Sequence, residues 1–130
     1  MKLLLDTHVW LWLVAGDTRL KPRLRSLLQH GQTELWLSPI SVWEAMMLAQ
    51  KNRIVIDAKP AAWAQQMLAA TGAREAALTH EVAIRSRTLS LTHADPADRF
   101  LVATALAYGL KLVTADANIC KAKPCEVVAA

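Results

Sequence analysis

Three consecutive leucines at 3–5 form a short, wholly apolar run that is followed at once by Asp6 and Thr7. A strand with one face in water alternates apolar and polar residues, whereas a strand covered on both faces is apolar throughout. Similar runs occur at 34–37 and 110–113, and each is followed by a helix signal. Short buried strands that alternate with helices form parallel sheets with helices on both faces. The sequence therefore predicts an α/β fold, a three-layer α/β/α sandwich around a central, mostly parallel sheet.

Capping residues, prolines and glycines set the expected boundaries of the helices and strands. The predicted helices cover 8–15, 22–30, 39–52, 60–71, 80–89 and 96–108, with a short turn or helix at 115–120. The predicted strands cover 3–5, 34–37, 110–113 and 126–128, with a weak candidate at 76–78 and a short extended piece at 54–56. We find no repeat and no flexible linker, so we expect one domain, 1–130.

Composition limits the classes of protein to which the chain can belong. Hydrophobic residues make up 54% of the 130 residues, which argues against disorder. The longest apolar run, 9–15, is far shorter than the roughly 20 residues that a membrane span needs. The N-terminus lacks a signal-peptide pattern, and the two cysteines, Cys120 and Cys125, lack metal-type spacing. We therefore expect a cytoplasmic protein without a membrane segment.

Four of the eleven acidic residues stand where apolar or small residues are usual. Asp6 and Asp116 follow strand-like runs, and the carboxyl ends of parallel strands meet at one edge of a sheet. Glu44 and Asp98 lie on apolar faces of predicted helices that can line this edge. Because unpaired buried carboxylates are costly, such a cluster needs a cation, and a hard divalent metal ion suits oxygen ligands.

Each of these carboxylates also has a purely structural interpretation. Asp6 and Asp116 can cap the helices that follow them. Glu44 falls on an apolar stripe with positions 40, 43 and 47, where a salt bridge to a buried Arg or Lys is the alternative. Asp95 and Asp98 fit the N-cap and third position of one helix, although Asp98 also heads its apolar face. Whether Asp95 takes part in a site stays open.

The chain carries a net charge of +4 despite the predicted acidic cluster, so the Lys and Arg side chains must lie elsewhere on the surface. This arrangement suits a polyanionic substrate, although an ordinary basic surface is the alternative. Thr114 can add a hydroxyl to the same crevice, and His93 can contact a phosphate or simply lie on the surface. The four histidines show no paired spacing, which disfavours zinc, and no glycine-rich phosphate loop occurs.

Four motifs, in this order and spacing, resemble those of PIN-domain proteins and, within them, the VapC-type ribonuclease toxins of bacterial toxin–antitoxin pairs. They are Leu5-Asp6-Thr7-His8, Trp43-Glu44, the run from Asp95 to Ala103, and the run from Leu112 to Asp116. The resemblance spans nearly the whole chain, from residue 3 to about 128. One departure is Ala97, where an aromatic residue is expected between the proline and the aspartate, and it affects substrate fit more than chemistry.

The resemblance implies a PIN-like fold and endoribonuclease activity that depends on Mg²⁺ or Mn²⁺. It implies an acidic quartet of metal-binding and catalytic residues: Asp6, Glu44, Asp98 and Asp116. Asp6 and Asp98 are the expected principal ligands, and Glu44 and Asp116 are expected to act through water or at a second metal. The resemblance further implies an RNA substrate, a homodimer, and a VapB-like antitoxin that blocks the site.

Four further residues are candidates for substrate binding: Thr7, His93, Arg99 and Thr114. For Arg99 the alternative is a salt bridge to an acidic neighbour. The main competing hypothesis for the protein is a catalytically silent RNA-binding or scaffold domain of the same fold. A phosphatase with an aspartate nucleophile ranks last, because His8 stands where such enzymes place a second aspartate.

Overall fold

The computed structural model describes residues 1–91 and 95–130. Five strands form one sheet in the order β3-β2-β1-β4-β5, and every pairing is parallel, as the sequence predicted. The elements are β1 (Lys2–Leu5), α1 (Thr7–Ala15), α2 (Pro22–Leu28), β2 (Glu34–Leu37), α3 (Pro39–Gln50), α4 (Pro60–Thr71), β3 (Arg74–Glu75), α5 (His80–Thr88), α6 (Pro96–Tyr108), β4 (Lys111–Thr114), α7 (Ala117–Ala122) and β5 (Val127–Ala129).

The strand order reverses at β1, which lies in the centre of the sheet. Leu4 pairs with Trp36 of β2 on one side, and Leu5 pairs with Val113 of β4 on the other. The chain thus builds outward in both directions from β1. In open parallel sheets, ligands bind beyond the carboxyl ends of the strands at this reversal point. Here that point is the edge where β1 and β4 end.

Two hydrophobic cores, one on each face of the sheet, give the three layers. Leu3 and Leu5 of β1 pack in the core that α1, α2 and α4 cover, whereas Leu4 packs in the core that α6 and α7 cover. Successive side chains of a strand point to opposite faces, so a strand between two cores needs apolar residues at every position. This requirement explains the unbroken run of leucines in β1, each of which is fully buried.

The third strand differs from the prediction. We expected a weak strand at 76–78, but β3 covers only Arg74–Glu75 at the edge of the sheet. Ala76 is instead fully buried in the core, with its backbone N–H donating to the Leu37 carbonyl at 2.9 Å. The predicted extended piece at 54–56 does not join the sheet. Most other boundaries agree to within two residues, the usual uncertainty at element ends.

The buried face of helix α3 differs from the face that the sequence predicted. The sequence placed Glu44 and Trp43 on the buried stripe, but the fully packed positions are Ser41, Ala45 and Ala49. Trp43 is 59% exposed, and Glu44 is half-buried at the margin of the packed face. Small side chains on the inner face let α3 approach α1 and α6 closely. Within residues 1–91 and 95–130, no helix is long and apolar enough to cross a membrane.

Candidate active site

Three residues at the reversal point of the sheet are joined through one hydroxyl group. The Thr114 Oγ1 donates to Asp6 Oδ2 at 2.5 Å and accepts the backbone N–H of Asp116 at 3.0 Å. The Asp6 backbone N–H donates to the Val113 carbonyl at 3.0 Å, so Asp6 continues the pairing between β1 and β4. Two residues that are 110 positions apart in the chain, Asp6 and Asp116, are thereby held at one place, as the strand pattern predicted.

The two aspartates use their carboxylates differently. Asp116 caps α7, since its Oδ1 accepts the Ile119 N–H at 2.9 Å. Asp6 occupies the N-cap position of α1, but its side chain makes no capping bond. Asp6 is only 8% exposed, and its carboxylate is held by Thr114 instead. Helix capping therefore explains part of the role of the Asp116 side chain, whereas it does not explain the position of the Asp6 side chain.

Glu44 lines a cleft between α3 and the first turn of α6. The cleft has a volume of about 680 Å³, and its lining includes Glu44, Asp95 and the exposed ring of Trp43. Ala97, the residue that departs from the expected pattern, also lines the cleft.

Asp98 and Asp95 occupy the first turn of α6 in the predicted manner. Asp95 caps the helix, because its Oδ1 accepts the Ala97 N–H at 2.9 Å. Asp98 is half-buried above Leu101 and Val102, which are packed in the core. Helix α6 packs against both β4 and α3, so Asp98 lies on the face of the sheet opposite α1.

The chemistry of these donors fits a hard divalent cation. The candidate ligands are carboxylate oxygens, and within the described residues the buried Asp6 carboxylate has the neutral Thr114 hydroxyl as its side-chain hydrogen-bond partner. Within the described ranges, no three carboxylate, imidazole or thiol groups surround one point as a ready-made metal centre. Carboxylate oxygens are ligands that Mg²⁺ takes, commonly one or two of them together with waters and substrate phosphates.

Cys120, which the sequence does not mark as a site residue, lies beside the same site. The Cys120 thiol donates to the Thr114 carbonyl at 3.6 Å. Burial raises the pKa of Cys120 above its usual value, and the negative charges of Asp116 and Asp6 raise it further. The thiol is therefore close to both carboxylates. No spacing motif signals this contact, since it depends on α7 folding back along β4.

The remaining substrate-binding candidates have varied positions. Thr7 is fully buried, and its hydroxyl has no hydrogen-bond partner among the described residues, so it is closed to direct contact with substrate here. The Arg99 guanidinium donates to three backbone carbonyl groups at and just beyond the end of α5. His93 lies outside the described residues.

Comparison with known proteins agrees with this architecture. The PIN domain family model matches residues 3–123. The chain is 36% identical over 117 residues to Ribonuclease VapC22 of Mycobacterium tuberculosis (strain ATCC 25618 / H37Rv), a match that covers 89% of this chain and 88% of that protein. Among solved structures, it is similar to VapBC2 from Rickettsia felis bound to a promoter DNA fragment, with a TM-score of 0.71, 14% identity and coverage of 99% and 98%. It is also similar to VapBC-1 from nontypeable Haemophilus influenzae, with a TM-score of 0.68, 14% identity and the same coverage.

The fold and site define an α/β protein that gathers carboxylates at the reversal point of a parallel sheet. The family match covers most of the chain, and the relative exceeds 30% identity over nearly its whole length. The chain belongs to the PIN-domain family, which confirms the resemblance seen in the sequence.

Proposed function

We propose that this protein is a metal-dependent endoribonuclease that acts in the cytoplasm as the toxin of a toxin–antitoxin pair. The observation that carries the proposal is the Asp6–Thr114–Asp116 network at the reversal point of a PIN fold. The similarity to a protein named as a ribonuclease gives the substrate class. The similar structures named VapBC give the biological setting.

The metal site is proposed to be built from the four predicted carboxylates. Asp6 and Asp98 are the direct ligands, and Glu44 and Asp116 act through bound water or complete a second site. When bound, Mg²⁺ or Mn²⁺ polarises a phosphate and lowers the pKa of a coordinated water. The Thr114 hydroxyl holds one oxygen of Asp6, so the carboxylate keeps a single orientation.

The RNA backbone is proposed to be held by basic side chains around this acidic edge. Lys121 and Lys123 are exposed and lie on and directly after α7, the helix that Asp116 caps. Lysine contacts to phosphates position a nucleic acid without reading its sequence. The net charge of +4 further favours a polyanionic substrate.

Cleavage of a total RNA pool by the purified protein tests the proposal. We expect discrete fragments with Mn²⁺, none with EDTA, and none with Asp98→Asn. Asp57→Asn is the matched control, because Asp57 is an exposed carboxylate outside the proposed quartet. If the folded protein binds RNA with steep salt dependence but Asp98→Asn changes nothing and no cleavage occurs, the silent RNA-binding domain is the better description.

The antitoxin is proposed to bind a groove that begins beside the site. The groove lies between α1, α4 and residues 53–57, has a volume of about 900 Å³, and is lined largely by apolar side chains such as Trp12 and Ile56. Its lining also includes His8, two residues after Asp6, so a bound segment can extend to the carboxylates. An amphipathic helix that lays its apolar face in such a groove is a common mode of recognition.

Binding to a co-expressed antitoxin tests the groove. We expect Ile56→Glu to weaken the complex by at least about tenfold, since a buried charge opposes docking. Ile84→Glu is the control, because Ile84 is 66% exposed on α5 and does not line the groove. Equal affinity of both variants would place the antitoxin elsewhere.

A homodimer is proposed through the apolar surface around Trp43. Trp43 is 59% exposed and Leu78 is 40% exposed, and both line the cleft beside Glu44. Exposed clusters of large apolar side chains mark protein interfaces. We expect Trp43→Glu to give a monomer in sedimentation experiments, whereas Val55→Glu, at a fully exposed valine elsewhere, leaves the dimer intact. Unchanged sedimentation of Trp43→Glu would exclude this surface.

A further inference from the structure

Among the described residues, no backbone N–H caps the end of helix α5, unlike the ends of other helices of this protein. Helices α1, α4 and α6 end at Gly16, Gly72 and Gly109, each in the left-handed conformation with its N–H bonded to a carbonyl of the last turn. After α5, Leu89 is extended, with φ −63° and ψ 142°. A helix end leaves carbonyl groups without partners inside the helix, so these groups need donors from elsewhere.

Arg99 supplies three donors at and just beyond this helix end. Its Nε donates to the Ser86 carbonyl at 2.8 Å, Nη1 to the Leu91 carbonyl at 2.8 Å, and Nη2 to the Leu89 carbonyl at 3.4 Å. A guanidinium group suits this position, because it carries several donors in one plane and its charge favours the negative end of a helix. Arg99 thus closes α5 from a different helix.

The same arginine is built into the first turn of α6. Its backbone N–H donates to the Asp95 carbonyl at 3.1 Å, and its neighbour in the sequence is Asp98. The side chain therefore ties the end of α5 to the turn that carries a proposed metal ligand. A shift of this turn relative to α5 would stretch three hydrogen bonds at once.

We propose that Arg99 is a positioning residue that fixes the first turn of α6, and with it the Asp98 carboxylate, for metal binding and RNA cleavage. The inference rests on the proposed function, since it assigns Arg99 a role through Asp98. It differs from the role that the sequence pattern indicated, in which Arg99 contacts a phosphate directly. The two roles predict different kinetics, because a phosphate contact supports RNA binding whereas a positioning contact supports turnover.

The experiment compares Arg99→Lys and Arg99→Met with Arg87→Met in the 130-residue chain. Arg87 is an exposed arginine on α5, so its loss removes the same charge without touching α6. We expect Arg99→Met to lower kcat by about 10–100-fold, the cost of a misplacement of about 1 Å, with KM nearly unchanged. Arg99→Lys is expected to recover little, because one ammonium group cannot span three carbonyls.

Two other measurements separate positioning from the alternatives. RNA binding in EDTA is measured across a salt series, where loss of a phosphate contact lowers the slope by about one. We expect an unchanged slope for Arg99→Met. A lower slope with unchanged kcat would show that Arg99 is a phosphate ligand and overturn the inference. A lower melting temperature with unchanged kcat would show a role in stability alone and overturn it as well.

The final readout does not depend on RNA cleavage. We expect Arg99→Met to weaken Mn²⁺ binding by at least about tenfold, with Arg87→Met unaffected. If the wild-type protein binds Mn²⁺ but cuts no RNA, the proposed activity fails while this result still supports positioning. Unchanged Mn²⁺ affinity in Arg99→Met would overturn the positioning role, whatever the wild-type activity.

Discussion

Replacement of Thr114 by valine tests the central network of the site. Valine has nearly the shape of threonine, so the change removes a hydroxyl from a fully buried position without opening a cavity. The Asp6 carboxylate loses the donor that lies 2.5 Å from its Oδ2. The Asp116 backbone N–H loses the acceptor that lies 3.0 Å away. Two polar groups are therefore left without their partners by one substitution.

The expected loss of stability follows from these two bonds. A hydrogen bond to a charged group contributes about 1.5–3 kcal/mol, and an unsatisfied backbone group adds to the cost when water cannot reach it. For a domain of this size, one kcal/mol corresponds to a change in melting temperature of about 3–5 °C. We expect Thr114→Val to melt about 5–15 °C below the wild-type protein, and Thr114→Ser, which keeps the hydroxyl, to recover most of this loss.

Activity provides the second part of the test. Cleavage of RNA is measured with Mn²⁺ well below the melting temperature of every variant, so that each protein is folded. We expect Thr114→Val to lose at least about tenfold in rate, because Asp6 is free to rotate, and Thr114→Ser to retain activity. If Thr114→Val melts and cleaves like the wild-type protein, the hydroxyl neither stabilises nor orients Asp6, and this reasoning is refuted.

Three further predictions concern other parts of the molecule. The hydrogen bond from Arg19 lowers the pKa of Asp17 from 3.8 to about 2. The stabilisation from this pair is therefore complete above pH 3.8 and is lost as the pH falls through about 2. Carboxyl titration by NMR checks the pKa of Asp17, which Arg19→Gln should raise. Burial raises the pKa of Cys125 to about 11, and we expect alkylation of this thiol to be slow at pH 8 and to accelerate only near that value. The Trp10 ring is fully buried and donates to Thr71 Oγ1 at 2.9 Å, and we expect Trp10→Phe to cost about 1–3 kcal/mol in urea unfolding.

Where strand pairing or a local capping pattern determines the position of a residue, that position could be predicted from the sequence. Asp6 and Asp116 follow apolar runs, and parallel pairing brings the ends of such runs to one edge whatever the details of packing. The Asp95 cap could also be predicted, because Asp-Pro at a helix start is a local pattern that the chain satisfies within three residues. In both cases, neighbours in sequence or an obligatory strand pairing decide the outcome.

Residues placed by packing could not be predicted in the same way. Hydrophobicity pointed to Trp43 as a buried residue of α3, but close contact between helices favours the small residues Ser41, Ala45 and Ala49. The donors of Arg99 reach carbonyls 8 to 13 residues away, and no sequence pattern marks them as partners. Such contacts depend on the packing geometry of two helices, which cannot be read from a single sequence.

Asp6 gives the clearest physical sign of function, because its side chain differs from the polar side chains at the other described N-caps. Each other Asp, Ser or Thr at a described N-cap uses its side chain to accept a backbone N–H, namely Ser38, Thr79, Asp95 and Asp116. Asp6 stands at an N-cap, makes no such bond, and is nearly buried. A capping hydrogen bond contributes about 1 kcal/mol, and burial of a charge costs free energy. A nearly buried carboxylate that makes no capping bond therefore needs another stabilising interaction. Among the described residues, the side chain that hydrogen-bonds this carboxylate is the neutral Thr114 hydroxyl, which does not neutralise its charge, and this supports the proposed cation at this edge.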